Sequence, residues 1–161
     1  MRKSSFPPVT SPATRVLVLG SLPGERSLAE QRYYAHPRNR FWQLAGHAIG
    51  QELEPRDYEQ RLAALLAAGI GLWDTVASAT RPGSLDTAIR DAEHNPLTDL
   101  IATLPALRAV AFNGAASAKI GMAQLAGSPL ALLPLPSSSP ANAAIPLAEK
   151  QRRWAAIADY L

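Results

Sequence analysis

The chain of 161 residues contains no cysteine, which excludes disulfide bonds, a thiolate nucleophile and any cysteine-ligated zinc site. Its three histidines are widely spaced and form no recognisable metal motif. No apolar run approaches the roughly 20 residues that a membrane-spanning helix requires. The basic N-terminus is not followed by the apolar stretch of a signal peptide. We therefore expect a cytoplasmic protein that contacts no membrane, and we predict no bound metal and no cofactor.

Charged residues are also modest in number, at 18% of the chain with a net charge of +3, while apolar residues make up 47%. This composition is typical of a soluble globular domain. The mild positive charge permits an anionic partner such as nucleic acid without requiring one. Residues 1–14 carry three prolines and several serines and threonines, which predicts a flexible N-terminal arm. We expect residues 15–161 to form a single domain, and the protein to be a monomer.

Short apolar runs alternate with segments of helical periodicity along the rest of the chain. The predicted strands cover residues 15–20, 70–73, 107–112 and 130–135. The predicted helices begin near residue 37 or 39 and then cover residues 55–68, 95–104, 115–125 and 146–159. This alternation predicts an α/β fold, a three-layer α/β/α sandwich with a four-stranded parallel sheet. Residues 77–95 are predicted to be a long irregular segment, and loops of that length are usually functional.

Aromatic residues are only 6% of the chain, yet four of them fall within ten positions, at Tyr33, Tyr34, Phe41 and Trp42. They belong to residues 20–42, which follow the first predicted strand and open with Gly-Ser-Leu-Pro-Gly. Glycine allows the backbone to turn sharply and approach a ligand, and proline stiffens the turn. Phe41 and Trp42 start an amphipathic helix and are predicted to lie in the core. Either tyrosine can face a pocket.

In a parallel sheet the loops that follow the strands meet at one edge, where ligands bind. The predicted loops are residues 20–39, 74–84, 113–114 and 136–142. The last offers hydroxyls and backbone N–H groups that suit a phosphate, and the first offers flat aromatic faces that suit a base. Simpler structural interpretations exist for the same residues: Asn39 as a helix N-cap, Asp74 as a strand-end cap and the serines as a solvated turn. Convergence of the two unusual loops favours a pocket for one nucleotide.

Both loops resemble motifs of the uracil-DNA glycosylase superfamily. Residues 20–24, Gly-Ser-Leu-Pro-Gly, with residues 35–42, Ala-His-Pro-Arg-Asn-Arg-Phe-Trp, resemble the first motif region of the mismatch-specific uracil glycosylases. That region reads roughly Gly-Ile-Asn-Pro-Gly, followed by His-Pro-x-Asn-Arg-Phe-Trp. Residues 133–142, Leu-Pro-Leu-Pro-Ser-Ser-Ser-Pro-Ala-Asn, resemble the second motif, the loop that enters the DNA helix. The resemblance covers nearly the whole chain after residue 14.

One departure from the pattern indicates the subfamily. The mismatch-specific enzymes place a catalytic asparagine where this chain has Leu22, which can neither hold a water nor bond to a base. The second motif also lacks the histidine of the classical uracil enzymes. In lacking both residues the chain resembles the hypoxanthine-DNA glycosylases, family six of the superfamily. In that family, catalysis is attributed to the asparagine of the His-Pro-x-Asn stretch. The resemblance thus implies that Asn39 is catalytic. His36 is a second candidate, because its imidazole can donate a proton near neutral pH.

The resemblance further implies a substrate and a set of binding residues. The substrate is deoxyinosine in double- or single-stranded DNA, whose base is flipped out of the stack and hydrolysed off to leave an abasic site. The implied base pocket comprises Gly20, Ser21, Leu22, Pro23, Gly24, Tyr33, Tyr34 and Asn113. The implied loop that grips the flanking phosphates and fills the gap in the stack comprises Ser137, Ser138, Ser139, Pro140, Ala141 and Asn142.

Three alternatives remain open on the sequence alone. A uracil- or mismatch-specific DNA glycosylase would share the fold, and parallel assays on uracil, xanthine and hypoxanthine duplexes would distinguish it. A catalytically silent damaged-DNA-binding module would bind DNA without producing an abasic site. A generic α/β protein that binds a small phosphate would show little affinity for duplex DNA and weak dependence on salt.

Overall fold

The computed structural model describes residues 2–161, which form two sheets and six α-helices. The strands are β1 (Arg2–Ser4), β2 (Val16–Gly20), β3 (Ile70–Asp74), β4 (Val76–Thr80), β5 (Arg90–His94), β6 (Ala109–Asn113) and β7 (Ala131–Leu135). The helices are α1 (Glu25–Glu30), α2 (Phe41–Ile49), α3 (Tyr58–Ala68), α4 (Leu97–Ile101), α5 (Ala115–Gln124) and α6 (Leu147–Trp154). Two 3₁₀ turns cover Asp86–Ala88 and Ala155–Tyr160. Each predicted strand and helix has a counterpart, with ends shifted by a few residues.

The larger sheet contains four parallel strands in the order β3-β2-β6-β7. Val16 and Val18 of β2 face one core, and Leu17 and Leu19 face another, because successive side chains of a strand point to opposite faces. Buried residues of α2, α3 and α6 cover the first face, and residues of α4 and α5 cover the second. The predicted three-layer α/β/α sandwich with a four-stranded parallel sheet is confirmed.

The smaller sheet was not predicted. It has the order β1-β4-β5 with antiparallel pairing, so the segment predicted to be irregular, residues 77–95, belongs largely to a hairpin. β5, with the sequence Arg-Asp-Ala-Glu-His, contains none of the β-branched and aromatic residues that mark strands and is exposed throughout, and β4, Val-Ala-Ser-Ala-Thr, contains them only at its two ends. Pairing with the distant N-terminus, which a local pattern does not reveal, completes this sheet.

The structure corrects the predicted flexible arm for residues 2–14, while Met1 lies outside the described residues. Lys3 pairs with Ala79 across the smaller sheet, and the backbone of Val9 exchanges hydrogen bonds with that of Leu72. The carbonyl of Phe6 accepts a hydrogen bond of 3.1 Å from the indole Nε1 of Trp73. These contacts provide hydrogen-bond partners for backbone groups and cover the core. The prolines and serines here therefore belong to an extended segment that packs on the domain.

Two of the helices whose ends differ from expectation are α3 and α4. α3 begins after Asp57 rather than at Pro55, because Asp57 and Gln60 form a reciprocal capping box. The helix predicted over residues 95–104 is shorter, because α4 covers only the five residues Leu97–Ile101, and the Nδ2 of Asn95 donates to the carbonyl of Asp74 at 2.8 Å. Within residues 2–161, no helix is long and apolar enough to cross a bilayer.

Candidate active site

A cavity of about 390 Å³ lies at the carboxyl edge of the parallel sheet. The ends of β2, β3 and β6 contribute Gly20, Asp74 and Asn113, and the loop after β7 closes one side. A volume of this size lies within the range of about 300–1,000 Å³ that is usual for small-molecule pockets. Every residue predicted for the base pocket, the catalytic pair and the serine loop lines this one cavity.

Asn39 lies at the start of α2, within the cavity wall, next to the serine loop. The following residue, Arg40, donates its backbone N–H to the carbonyl of Ser138 at 2.9 Å, which joins the two motif segments directly. The Oδ1 of Asn39 accepts a hydrogen bond of 2.9 Å from the N–H of Phe41. The N-cap of α2 is Arg40 rather than Asn39, so the predicted cap lies one residue too early. The side-chain oxygen of Asn39 still supports the first turn through the N–H of Phe41, which is compatible with a catalytic use of its nitrogen. Within residues 2–161, the Nδ2 of Asn39 makes no hydrogen bond and is available as a donor.

His36 also lines the cavity, and its ring is oriented by the backbone. Its Nδ1 accepts a hydrogen bond of 3.1 Å from the N–H of Arg38. A neutral imidazole that accepts at Nδ1 carries its proton on Nε2. His36 can therefore donate a hydrogen bond through Nε2. The N–H of Asn39 donates to the carbonyl of His36 at 2.9 Å, so the two candidates are held in one turn.

Asn113 holds the serine loop in place. Its Nδ2 donates to the hydroxyl of Ser138 and its Oδ1 accepts from the N–H of Ser138, each at 2.8 Å. Ser138 is buried by this pairing. Asn113 was predicted to face the base, and although it lines the cavity, both polar atoms of its side chain are engaged with the loop. Its contacts point to a role in positioning Ser138.

The loop after β7 has its own internal hydrogen bonds. The hydroxyl of Ser137 accepts from the N–H of Ser139 at 3.1 Å, and the hydroxyl of Ser139 accepts from the N–H of Ala141 at 3.2 Å. A hydroxyl that accepts one hydrogen bond can still donate its own proton, so both remain able to bind a phosphate oxygen. Pro140 and Ala141 are exposed at the tip of the loop.

α6 anchors this loop from below. The ammonium of Lys150, buried apart from 4% of its surface, donates to the carbonyl of Asn142 at 2.7 Å. The indole Nε1 of Trp154 donates to the carbonyl of Pro136 at 2.9 Å. Both ends of the loop are thus tied to one helix. The sequence alone did not single out Lys150, since lysine is exposed in most proteins.

The two tyrosines of the first loop have different surroundings. Tyr33 is buried, and its hydroxyl donates to the carbonyl of Pro7 at 2.9 Å. The ring of Tyr34 stacks on that of Phe41 with centroids 3.9 Å apart and planes 11° apart. One face of Tyr34 is therefore already covered by Phe41. Tyr34 lines the cavity, and within residues 2–161 its buried hydroxyl oxygen has no hydrogen-bond partner. Phe41 and Trp42 lie in the core, as expected.

The floor of the cavity is formed where Tyr34 meets Gly20 and Asp74. A Cβ atom on Gly20 would lie 2.7 Å from the Oδ1 of Asp74 and 3.1 Å from the hydroxyl oxygen of Tyr34. Only glycine therefore allows both polar groups to approach the end of β2. Leu22 is buried against Val76 and Ala79, and it contributes an apolar section of the wall.

Asp74 is the residue that the sequence analysis underestimated. Only 3% of its surface is exposed, and within residues 2–161 neither carboxylate oxygen accepts a hydrogen bond, so it does not act as a strand-end cap. Burial raises the pKa of Asp74 to about 7; the carboxylate of Asp86 adds to the rise and the guanidinium of Arg81 opposes it. Its position at the end of a buried strand, at the predicted ligand edge, was the available signal.

The hairpin between β4 and β5 forms the second wall of the cavity. Arg81 is buried, and its guanidinium donates to the carbonyls of Leu22 and Pro23. The hydroxyl of Ser21 donates to the Oδ1 of Asp86 at 2.6 Å. These hydrogen bonds fix the Gly-Ser-Leu-Pro-Gly turn against the hairpin. Sequence reasoning missed this function of Arg81, because its partners are backbone carbonyls about 60 positions away.

The fold and the cavity together define a class of protein. The chain belongs to the uracil DNA glycosylase superfamily, whose family model matches residues 7–159. It is 42% identical over 142 residues to a Methanosarcina acetivorans protein named hypoxanthine DNA glycosylase, and the aligned region covers 88% of this chain and 89% of that protein. It is 46% identical over 114 residues to a Methanosarcina barkeri protein of the same name, and the aligned region covers 71% of this chain and 72% of that protein.

A solved structure supports the same assignment. The solution NMR structure of a Methanosarcina acetivorans protein, described as a candidate uracil DNA glycosylase, matches with a TM-score of 0.88 and 39% identity. The match covers 98% of this chain and 96% of that chain. The resemblance to this superfamily in the sequence motifs is thereby confirmed.

Proposed function

We propose that the protein is a DNA glycosylase that excises hypoxanthine from deoxyinosine in DNA by hydrolysis and leaves an abasic site. The observation that carries the proposal is that the Asn39 amide and the serine loop line one cavity. Two relatives named hypoxanthine DNA glycosylase, at 42% and 46% identity, support the choice of base. A role in base excision repair of damaged DNA follows from the abasic product. The cytoplasmic location and the monomeric state remain predictions.

Access to the bond requires the nucleotide to leave the stack, because the glycosidic bond is shielded inside a duplex. Ser137 and Ser139 bind the flanking phosphates through their hydroxyls and the neighbouring N–H groups. The exposed tip at Pro140 and Ala141 enters the space that the flipped base leaves. Because α6 and Asn113 hold the loop, these contacts are formed without reorganising it.

Cleavage leaves positive charge on the sugar and negative charge on the departing base. The Oδ1 of Asn39 is held by the N–H of Phe41, which directs Nδ2 as a fixed donor. A donor of this kind stabilises negative charge that develops on the base, and an amide is not a useful general base at neutral pH. Asn39 therefore acts by electrostatic positioning. His36 provides a second donor through Nε2.

The deciding experiment separates the side-chain oxygen of Asn39 from its amide nitrogen. Asn39→Asp keeps an acceptor for the N–H of Phe41 and suits a helix N-terminus, but it removes the donor. Single-turnover excision from a deoxyinosine duplex should fall by about a hundredfold or more, as when one oxyanion-hole donor is lost. Thermal unfolding should show a Tm no lower than that of the wild type. Asn39→Ala should lose excision activity, and its free energy of unfolding should also be lower by about 1 kcal/mol.

Two results would contradict this proposal. Wild-type rates in Asn39→Asp would remove Nδ2 from the mechanism. An absence of excision by the wild type on hypoxanthine, xanthine and uracil duplexes would leave a DNA-binding module without turnover.

Uracil excision is the second candidate, because the solved structural relative is described as a candidate uracil DNA glycosylase. The apolar Leu22 disfavours it, since the motif position that carries an amide in the mismatch-specific enzymes has no hydrogen-bonding group here. Parallel time courses on uracil and hypoxanthine duplexes with the same opposing base decide between the two.

A further inference from the structure

Leu85 is an unusually exposed apolar side chain at the rim of the cavity. It is one of two large hydrophobic residues that are exposed among residues 2–161, with 56% of its surface accessible, and the other is Met122 on α5. We propose that Leu85 packs against the base step next to the flipped nucleotide, as an apolar DNA contact separate from the serine loop. The inference rests on the proposed glycosylase function and adds a second place at which the protein meets its substrate.

Leu85 belongs to the exposed residues 82–87 between β4 and β5, which we call the hairpin loop. The hairpin loop and the serine loop line the same cavity. They leave the sheet from its two outer strands, because β4 continues from β3 and the serine loop follows β7. The ends of these outer strands are about 14 Å apart at the usual strand spacing, which is several times the rise of about 3.4 Å per nucleotide in a DNA strand. The two loops therefore meet the DNA at different nucleotides, on opposite sides of the cavity mouth.

Polar contacts hold the hairpin loop on both sides of Leu85. The carbonyl of Gly83 accepts a hydrogen bond of 2.8 Å from the ammonium of Lys3 in the N-terminal strand. The hydroxyl of Ser84 accepts one of 2.9 Å from the first backbone N–H of α1. The Oδ1 of Asp86 accepts one of 2.6 Å from the Gly-Ser-Leu-Pro-Gly turn. Because the residues around Leu85 are anchored, little ordering of this loop is needed when DNA binds.

The Leu85 side chain does not help to hold the fold together. Within residues 2–161, Leu85 belongs to none of the hydrophobic clusters, whereas Ile89, four residues later, packs against the cluster that contains Leu22 and Val76. Single exposed apolar residues are common on protein surfaces and by themselves indicate no function. Leu85 differs from them because it is fixed at the mouth of the cavity proposed to receive the nucleotide. Covering it with DNA removes apolar surface from water, which is favourable.

The charges of the hairpin loop favour an apolar contact over a phosphate contact. Residues 82–87 contain no lysine or arginine and one acidic residue, Asp86. The flanking Arg81 and Arg90 direct their guanidinium groups to backbone carbonyls of the protein. Leucine is among the apolar residues that DNA-bending proteins place against base steps. Such a contact releases no counterions, so its contribution to affinity is independent of salt.

Leu85→Ala removes the apolar contact and leaves the hydrogen bonds of the hairpin loop in place, because none of them uses this side chain. The dissociation constant for a duplex with an abasic site should rise about tenfold, the effect of withdrawing most of a leucine side chain from a contact. The slope of log affinity against log salt and the Tm should both equal the wild-type values. Met122→Ala is the matched control, since Met122 is also exposed but lies outside the cavity, and its affinity should not change.

The absence of cysteine from the chain permits a direct measurement of the contact. Leu85→Cys and Met122→Cys each introduce a single thiol that can carry a fluorophore sensitive to its surroundings. Addition of the abasic duplex should shift the emission to shorter wavelength when the fluorophore is at position 85, because DNA covers it. The emission from position 122 should stay the same.

Single-turnover excision of deoxyinosine separates this contact from bond cleavage. Leu85 touches a neighbouring base step and not the glycosidic bond, so it stabilises the bound substrate and the transition state equally. The enzyme concentration that gives half the maximal rate should therefore rise about tenfold for Leu85→Ala. The rate constant at saturating enzyme should match that of the wild type.

Failure of this inference is distinguishable from failure of the proposed function. If the wild type excises deoxyinosine and Leu85→Ala binds the abasic duplex equally tightly, the contact is refuted while the glycosylase proposal stands. A lower rate constant at saturation with unchanged affinity, a shallower salt slope or a lower Tm would also refute it, because each assigns Leu85 another role. If the wild type binds the abasic duplex but excises no base, only the glycosylase proposal falls, and the affinity of Leu85→Ala still decides the contact. If the wild type does not bind the duplex, both proposals fall.

Discussion

Asn39 and Asp74 differ in how the polar atoms of their side chains are used by the fold. In Asn39, one atom stabilises the structure and another is free for chemistry. The oxygen of Asn39 accepts a hydrogen bond from the N–H of Phe41 at the start of α2, while its nitrogen remains available to a substrate. Asp74 differs, since among the described residues, 2–161, no group donates a hydrogen bond to either of its carboxylate oxygens. Its buried carboxyl is therefore expected to lower stability where it is ionised, a cost that a purely structural residue would not carry.

Replacing Asp74 by asparagine should accordingly stabilise the free protein in a pH-dependent way. The folded pKa of Asp74 is raised to about 7 from the ordinary value of 3.8, so its contribution to stability is fully present below about pH 4 and is lost as pH rises towards 7. Asp74→Asn removes that loss. Its Tm should exceed the wild-type Tm at pH 8, with the difference shrinking as pH falls to 4. A Tm difference that is constant from pH 4 to pH 8 would contradict the assignment.

At the scale of elements, the loop between β7 and α6 depends on a helix that follows it. Lys150 and Trp154 donate to carbonyls at the two ends of this loop, and Asn113 at the end of β6 holds its middle. Two elements, α6 and β6, thus support the exposed tip. Preorganisation of this kind lowers the cost of ordering the loop when DNA binds.

Lys150→Met should test this support, because methionine preserves the apolar stem but leaves the carbonyl of Asn142 without its donor. We expect a loss of about 1–3 kcal/mol in urea unfolding and weaker binding to an abasic duplex. Arg152→Met is the matched control, since it removes the same charge from an exposed pair with Glu149 on α6. Exposed pairs of this kind contribute about 1 kcal/mol or less. If both substitutions reduced stability and binding to the abasic duplex equally, the lost positive charge would explain the effect, and the hydrogen bond from Lys150 to the loop would not be needed.

Elements also differ in how well the sequence predicts them. The strands of the parallel sheet are apolar runs whose burial on both faces leaves a continuous signal, as in Val16–Gly20. The β4–β5 hairpin carries no such signal, because Arg90–His94 is wholly exposed and pairs on one side only. β1 depends on contacts with residues some 75 positions away. Local patterns contain no information about pairing at that distance.

For the molecule as a whole, a net charge of +3 is small for a protein that binds DNA. Its effect depends on where the charges lie. Arg38 is exposed and stands in the chain between His36 and Asn39, which both line the cavity. Each basic side chain that neutralises a phosphate releases counterions and steepens the dependence of affinity on salt.

Arg38→Ala should therefore weaken binding to an abasic duplex and reduce the slope of log affinity against log salt by about 1. Arg56→Ala is the control, because Arg56 is bonded to Gln51 and lies outside the cavity. Fluorescence anisotropy across a salt series measures both. An unchanged slope for Arg38→Ala would exclude a phosphate contact at that residue.

The sequence by itself determined the parallel sheet, the edge at which the site lies and the two motif segments that line it, because apolar runs and turn residues are local features. It also identified Asn39 and the three serines. Only the tertiary structure decided that Asn113 holds Ser138, that Arg81 fixes the turn at Leu22, and that Asp74 and Tyr34 meet at Gly20. These relations join residues that are distant in the chain, and whether a buried polar group is satisfied depends on every segment that packs around it.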